Sequence, residues 1–325
     1  MNRMDASEVA ARYARFANVE VRGRSPLYEE IAWGVAADRE VLGFLLTLPR
    51  EKQQPNLLLA AVRHLCGTPA DWGGFRGMLL ANRDAVAALM RSRSTQTNEP
   101  ARCATLLPLL ARLPQPLALI EVGASAGLCL LPDHYGYDYG SHLITGTPMF
   151  RCAVNDATPI PKSAPQIVWR AGLDLNPLDI SNREQIAWLE TLVWPEQTER
   201  LANLRAAIKV AAIVRPRIVE GDLLGDAFAQ LCAETPKDAT LVIFHSAVLA
   251  YVPDLAARRA VGERAMQRGT WISNEPASMF PDIANRAPGR GVPGRLLLSI
   301  NGEPVAWADP HGASLDWIAA DVVTA

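Results

Sequence analysis

The apolar positions of this chain follow two different periods, and the change comes near residue 117. Before it, apolar residues recur every three or four positions. Val9, Tyr13 and Phe16 share one face behind Asp5, a residue suited to cap a helix. Similar faces follow in "PLYEEIAWGVAADREVLGFLLTL", "NLLLAAVRHLC" and "FRGMLLANRDAVAALM", separated by Pro- and Gly-bearing breaks. No strand stands out, so residues 1–99 are expected to form an all-helical region. Beyond it the runs shorten, and each ends in a polar or charged residue before a helical segment: "LALIEV", "QIVWRAGLD", "RIVEGD", "TLVIFHS" and "TWISNE". In "RLLLSINGEPVAWA" two alternating runs flank Asn301-Gly302, the strongest short hairpin signal. Five strands joined by crossovers predict a doubly wound parallel sheet with an antiparallel pair at one side, an α/β domain over residues 100–325.

The connections are uneven. About forty residues separate Gly127 from the second strand, and the stretch "HYGYDYGSHLITGTP" within them predicts an irregular excursion over residues 132–165. "REQIAWLETLVW" and "EQTERLANLRAAIKVAAI" supply helices for the next gap. The helical region and "YGYDYG" are expected to wall a substrate pocket at the strand ends, where ligands of such sheets bind.

Composition narrows the partners. A chain of 325 residues, 49% hydrophobic, can bury a large core, and a formal charge of −2 gives no field for wrapping a polyphosphate backbone. Nucleic acid is therefore not expected as a partner. The five cysteines are odd in number, widely spaced and without a C-x-x-C, which argues against a disulfide framework or a zinc site; no metal is expected. The N-terminus has no apolar core of signal-peptide length and no run of about twenty apolar residues occurs anywhere, so a cytoplasmic protein without membrane contact is expected. A small-molecule substrate is expected instead; the oligomeric state is open.

"PLALIEVGASAGLCLL" is the stretch with candidate chemistry, and its centre fits two kinds. Gly123-Ala124-Ser125-Ala126-Gly127 has the G-x-S-x-G spacing of a nucleophile elbow, for which His311 would be the base and Asp282 the acid. The elbow would then lie on the first strand, without a His-Gly-Gly segment upstream for an oxyanion hole. Alternatively, Glu121 ends a buried strand and Gly123, Ala124 and Gly127 let the backbone approach a nucleotide, with Ser125 as a spacer. Downstream, Asp174 in "GLDLNP" closes the second strand where a carboxylate can accept ribose hydroxyls, and Asp222 closes the third. Each acid taken alone is equally well a turn residue.

In this order of strand-end motifs, residues 117–310 resemble the class I S-adenosylmethionine-dependent methyltransferases, which have a Rossmann-like seven-stranded sheet with a reversed last strand. Ser125 stands where that family usually carries a third glycine. The resemblance implies S-adenosylmethionine as cofactor and methyl transfer to a small acceptor. Its site would comprise Glu121, Gly123, Ala124, Ser125, Gly127, Asp174, Leu175, Asp222, Leu223 and His245, with Asn98 and Arg102 laid over the cofactor's amino-acid end, unless Asn98 is a helix cap ahead of Pro100 and Arg102 a solvated side chain. His245 is the first candidate for a general base, with a structural hydrogen bond to a neighbouring loop as the competing role; Glu275 and His311 are the reserves. A cofactor-binding protein without catalysis would use the same residues. The whole chain also resembles a bacterial family known as domain of unknown function 2332, through "QTNEPARC", "GLDLNPLD" and "HSAVLAYVP".

Overall fold

In a computed structural model the described residues are 5–96, 98–249, 252, 254–289, 291 and 294–319. Thr97, Ala250, Tyr251 and Pro253, which belong to the phrases just quoted, lie outside them. The chain divides into two compact units, one of residues up to 97 with 182–202, the other of 98–181 with 203 onward.

The first unit contains α1 (Ala6–Arg15), α2 (Pro26–Ala37), α3 (Arg39–Leu46), α4 (Pro55–Cys66), α5 (Trp72–Ala81) and α6 (Arg83–Ser92). Local chemistry starts these helices. Asp5 and Glu8 form a reciprocal capping box, Ser25 caps ahead of Pro26, and Asp38 and Asp71 each accept from the first turn, contacts worth typically about 1 kcal/mol apiece. Val9, Tyr13 and Phe16 do share a buried face, packed with Ile31, Leu45 and Leu58.

The second unit opens with α7 (Cys103–Leu110) and β1 (Leu117–Val122), followed by β2 (Gly136–Asp138), β3 (Leu143–Ile144), β4 (Met149–Arg151), β5 (Ala153–Val154) and β6 (Ile167–Asp174). The chain then passes through α8 (Arg183–Leu192), whose Trp188 belongs to the core of the first unit, and α9 (Thr198–Val214). It continues with β7 (Arg217–Glu220), α10 (Asp226–Ala233), β8 (Thr240–Ser246), α11 (Leu255–Met266), β9 (Thr270–Pro276), α12 (Pro281–Ala284), β10 (Leu296–Ile300), β11 (Glu303–Ala308) and β12 (Ser314–Trp317).

The large sheet runs β5-β12-β11-β10-β9-β8-β1-β6-β7. Its parallel centre, β9-β8-β1-β6-β7, contains the five strands read from the sequence, and β1 is buried along its whole length, as expected of a strand covered on both faces. The hairpin at Asn301-Gly302 forms as expected, both turn residues taking the positive φ a tight two-residue turn requires, 47° and 81°. Among the described residues the large sheet has nine strands, where seven were expected. Ser314–Trp317 adds a strand beyond the hairpin, and Ala153–Val154, inside the presumed excursion, pairs with it. Reversal also begins earlier than at the last strand, because β10 is already antiparallel to β9.

Much of the excursion is ordered as a three-stranded sheet, β3-β2-β4. The tyrosines expected to line a pocket are its core: Tyr135, Tyr137 and Tyr139 are buried, and their hydroxyls donate to the carbonyls of Leu128, Pro132 and Ala104. A buried phenol needs a partner for its hydroxyl, and the backbone supplies it.

Candidate active site at the carboxyl ends of the strands

In space the parallel strands follow chain order third, second, first, fourth, fifth, so the winding reverses between β1 and β8. Such a reversal leaves a crevice beyond the carboxyl ends of the two strands, since the connections that leave them turn opposite ways. Side chains near these strand ends lie on both faces of the sheet.

The loop after β1 is held in a left-handed conformation at three positions, with φ of 72° at Gly123, 50° at Ser125 and 70° at Gly127. For serine this conformation costs free energy, and two side chains hold it there. Asp174 Oδ2 accepts from the Ser125 N–H at 2.7 Å, while Asn98 donates to Ser125 Oγ at 2.6 Å and accepts from the Ala126 N–H at 2.9 Å. No imidazole contacts Ser125 Oγ among the described residues; His311 is bonded to Glu99 instead. The glycine at 123 has a packing reason, because a Cβ there would lie 2.4 Å from a methyl of Val248. At 127 it would meet Ile218 at 2.7 Å.

Asp174 also accepts from the Asn176 N–H at 2.8 Å, forming the turn that follows β6. Each carboxylate oxygen therefore has one bond to the protein and capacity for another. Beside it Leu175 is 71% exposed. After β7, Asp222 is exposed and accepts from the Leu224 N–H, whereas Leu223 is buried in the core; the exposed apolar side chain at this strand end is Leu224. An open cleft of about 610 Å³ borders the loop, lined by Ala126, Pro177, Leu178, Ile180, Pro216 and Ile218.

On one face of the sheet, His245, Trp271 and Glu275 form a buried group. His245 Nδ1 lies 2.8 Å from Glu275 Oε1, and Trp271 Nε1–H donates to His245 Nε2 at 3.0 Å. With Nε2 accepting, the proton of the neutral ring is on Nδ1 and is donated to the carboxylate. The same Glu275 oxygen accepts from the N–H groups of Val248 and Leu249, so it ties down the turn leaving β8, where Ala247 has a φ of 55°. Both ring nitrogens of His245 are thus engaged within the protein, as in the structural role weighed against catalysis.

The opposite face holds Arg102, Glu121, Ser246 and Asn274, all buried. Alternation along the strands puts them together: Ile120 and Val122 enter the core with Ile243 and Trp271, which turns Glu121, Ser246 and Asn274 the other way, and the register places Asn274 opposite Ser246. Arg102 donates to the carbonyls of Ser246 and Pro310, and Asn274 donates to Ser246 Oγ. Two acceptors in this group, Glu121 Oε2 and Asn274 Oδ1, have no hydrogen-bond partner. Burial, followed by the neighbouring Cys129 thiol, raises the pKa of Glu121 well above the usual carboxylate range, against the pull of Arg102. Cys129 is itself raised by a hydrogen bond with Cys103 and by burial.

Sequence reasoning missed Ser246 and Asn274. The signal was available in "HS" and "SNE", polar residues on consecutive positions at adjacent strand ends, of which strict alternation sends one to each face. Among the described residues no group of three or more His, Cys, Asp or Glu side chains is placed to hold a metal ion, and no helix is long and apolar enough to cross a membrane.

Residues 10–317 match the model of a family described as "Uncharacterized protein conserved in bacteria (DUF2332)", and the chain belongs to that family. No curated protein and no solved structure matches it.

Proposed function

We propose that this DUF2332 protein is an S-adenosylmethionine-dependent methyltransferase acting on a small-molecule acceptor. The observation that carries the reading is the winding reversal between β1 and β8, with Glu121 and Asp174 at the ends of two parallel strands that flank the glycine-bearing loop. Asp174 keeps one accepting position on each oxygen, enough for the two hydroxyls of a ribose, and the exposed Leu175 and Leu224 offer apolar surface for a base. Asn98 fixes the loop, and the Arg102 guanidinium and the Glu121 carboxyl, whose pKa burial raises, face the amino-acid end.

Adenosylmethionine supplies a sulfonium that carries its own leaving group, so the protein has to position the acceptor and, where required, remove a proton. His245 and Glu275 are committed to each other and to the turn after β8, which moves the proton-accepting role to His311. Its Nδ1 is oriented by Glu99 Oε2 at 3.1 Å, and the ring is partly open to solvent, the arrangement in which a carboxylate fixes an imidazole so that the other nitrogen can act.

Thermal denaturation with adenosylmethionine tests the reading. A ligand at a hundredfold excess over its dissociation constant adds about 2.7 kcal/mol to the folded state, and Asp174→Ala should abolish most of that gain. An unchanged melting temperature at millimolar cofactor, in protein shown by mass spectrometry to be free of bound nucleoside, would refute it.

A further inference from the structure

We infer that residues 309–313 form a strap that must lift to admit a ligand to the enclosed polar group of Arg102, Glu121, Ser246 and Asn274. This inference is independent of which cofactor the crevice takes. Its first support is topological. β11 runs parallel to β9, since each is antiparallel to the β10 strand between them, so the turn leaving Ala308 emerges at the same edge as the carboxyl ends of the parallel strands.

Its second support is the way the turn is fastened. Contacts to the segment 99–102 hold it down, and at its far end the Ala313 carbonyl accepts from the Ala153 N–H of β5 at 2.9 Å. His311 Nδ1 meets Glu99 Oε2 at 3.1 Å, the Arg102 Nε–H donates to the Pro310 carbonyl at 2.8 Å, and Gly312 rests so closely on Ala101 that a Cβ would lie 2.1 Å from its carbonyl oxygen. Asp309 shapes the turn from within, accepting from the N–H groups of His311 and Ala313. The turn is thus braced from within, with the bond to Ala153 anchoring the end from which it would swing and the contacts to 99–102 fastening the part that would move. Arg102 links it to what lies beneath, because the same guanidinium donates to the Ser246 carbonyl.

The third support is what the closed strap encloses. Glu121 Oε2 and Asn274 Oδ1 are buried acceptors without partners, an arrangement that costs free energy unless a donor arrives. A ligand group bearing N–H or O–H donors would satisfy both. Arg102, Glu121, Ser246 and Asn274 are all at least nine-tenths buried, so a ligand needs a path to be opened, and the segment fastened on the Arg102 guanidinium is the one we infer to move. Closure over such a ligand would also bring the His311 ring to the mouth of the crevice.

Cys129 reports opening without any ligand. It is buried, its thiol donates to the Glu99 carbonyl at 3.3 Å, and it is close enough to Glu121 to perturb that carboxyl. We would measure maleimide labelling of each cysteine in the native chain by peptide mass spectrometry, in wild type, His311→Ala and Gly312→Ala. Cys66 is partly exposed and calibrates the reagent, while Cys232, on α10, reports general unfolding. The expected result is labelling of Cys129 at least fivefold faster in both variants, with Cys232 unchanged. Unaltered Cys129 labelling in both would overturn the inference. So would equal acceleration of Cys232, which would show that these contacts hold the domain and not a separate strap.

Discussion

Replacing Glu275 with alanine should destabilise the sheet unit strongly, although Glu275 began as a candidate for catalysis. One oxygen of this buried carboxylate accepts three hydrogen bonds, from His245 Nδ1 at 2.8 Å and from the Val248 and Leu249 N–H groups at 2.9 and 3.3 Å. Alanine leaves all three donors without a partner, and each orphaned buried donor costs about 1–3 kcal/mol. The costs do not add fully, because water can enter the space vacated by the side chain and the Leu249 bond is long. A loss of about 3–5 kcal/mol follows, a large share of the roughly 5–15 kcal/mol that holds a typical domain together. For a unit of this size it corresponds to a fall in melting temperature of roughly 6–20 °C. Trp271, which bonds His245, provides a fluorescence probe of the transition. Glu275→Gln retains an accepting oxygen and should recover at least half of the loss. A Glu275→Ala protein within about 1 kcal/mol of wild type would refute the reasoning, since a residue whose only work is chemistry can be removed at little cost in stability.

Two further outcomes follow from the same face-by-face geometry. Burial raises the pKa of Glu121, so as pH climbs above the ordinary carboxylate range the native state keeps a proton that the unfolded chain releases, and wild-type stability should decline from there up to the raised pKa. Glu121→Gln mimics the neutral acid; its stability advantage should be absent below that range and grow with pH through it, and parallel pH profiles of urea unfolding for the two proteins would rule this out. Gly123→Val should cost roughly 2–6 kcal/mol, combining a branched residue at positive φ with overpacking against Val248. If paired Gly123→Val, Val248→Ala recovers none of this in calorimetry, the glycine is needed for something other than that contact.

What the sequence determined by itself was local. Period and capping chemistry placed the helices before residue 100, as at Asp5 and Asp38, and the continuous apolar run of "LALIEV" marked a strand buried on both faces. Asn301-Gly302 fixed its hairpin, since few other residue pairs take two positive φ values without strain. Short-range propensity also showed that Asp174 ends a strand and that Asp222 follows one closely. The turn bond from Asp174 to Asn176 is local and within its reach, but it could not show that the other Asp174 oxygen braces Ser125, because a partner 49 positions away is set by which strands become neighbours.

Only the tertiary structure decided the rest. Strand order brought β9 beside β8 and so joined His245 to Glu275, whose carboxylate also accepts from the Val248 and Leu249 N–H groups in the turn leaving β8. The same pairing set Asn274 against Ser246 on the opposite face, beneath an arginine and a histidine from segments more than two hundred residues apart. The excursion's tyrosines looked like pocket lining for a similar reason: an aromatic residue suits a core and a binding wall equally well, and Tyr135 and Tyr137 became core because β4 returned alongside β2 and supplied Phe150. Period and propensity act over a few residues, whereas the partners of a buried charge are fixed by the packing of whole elements.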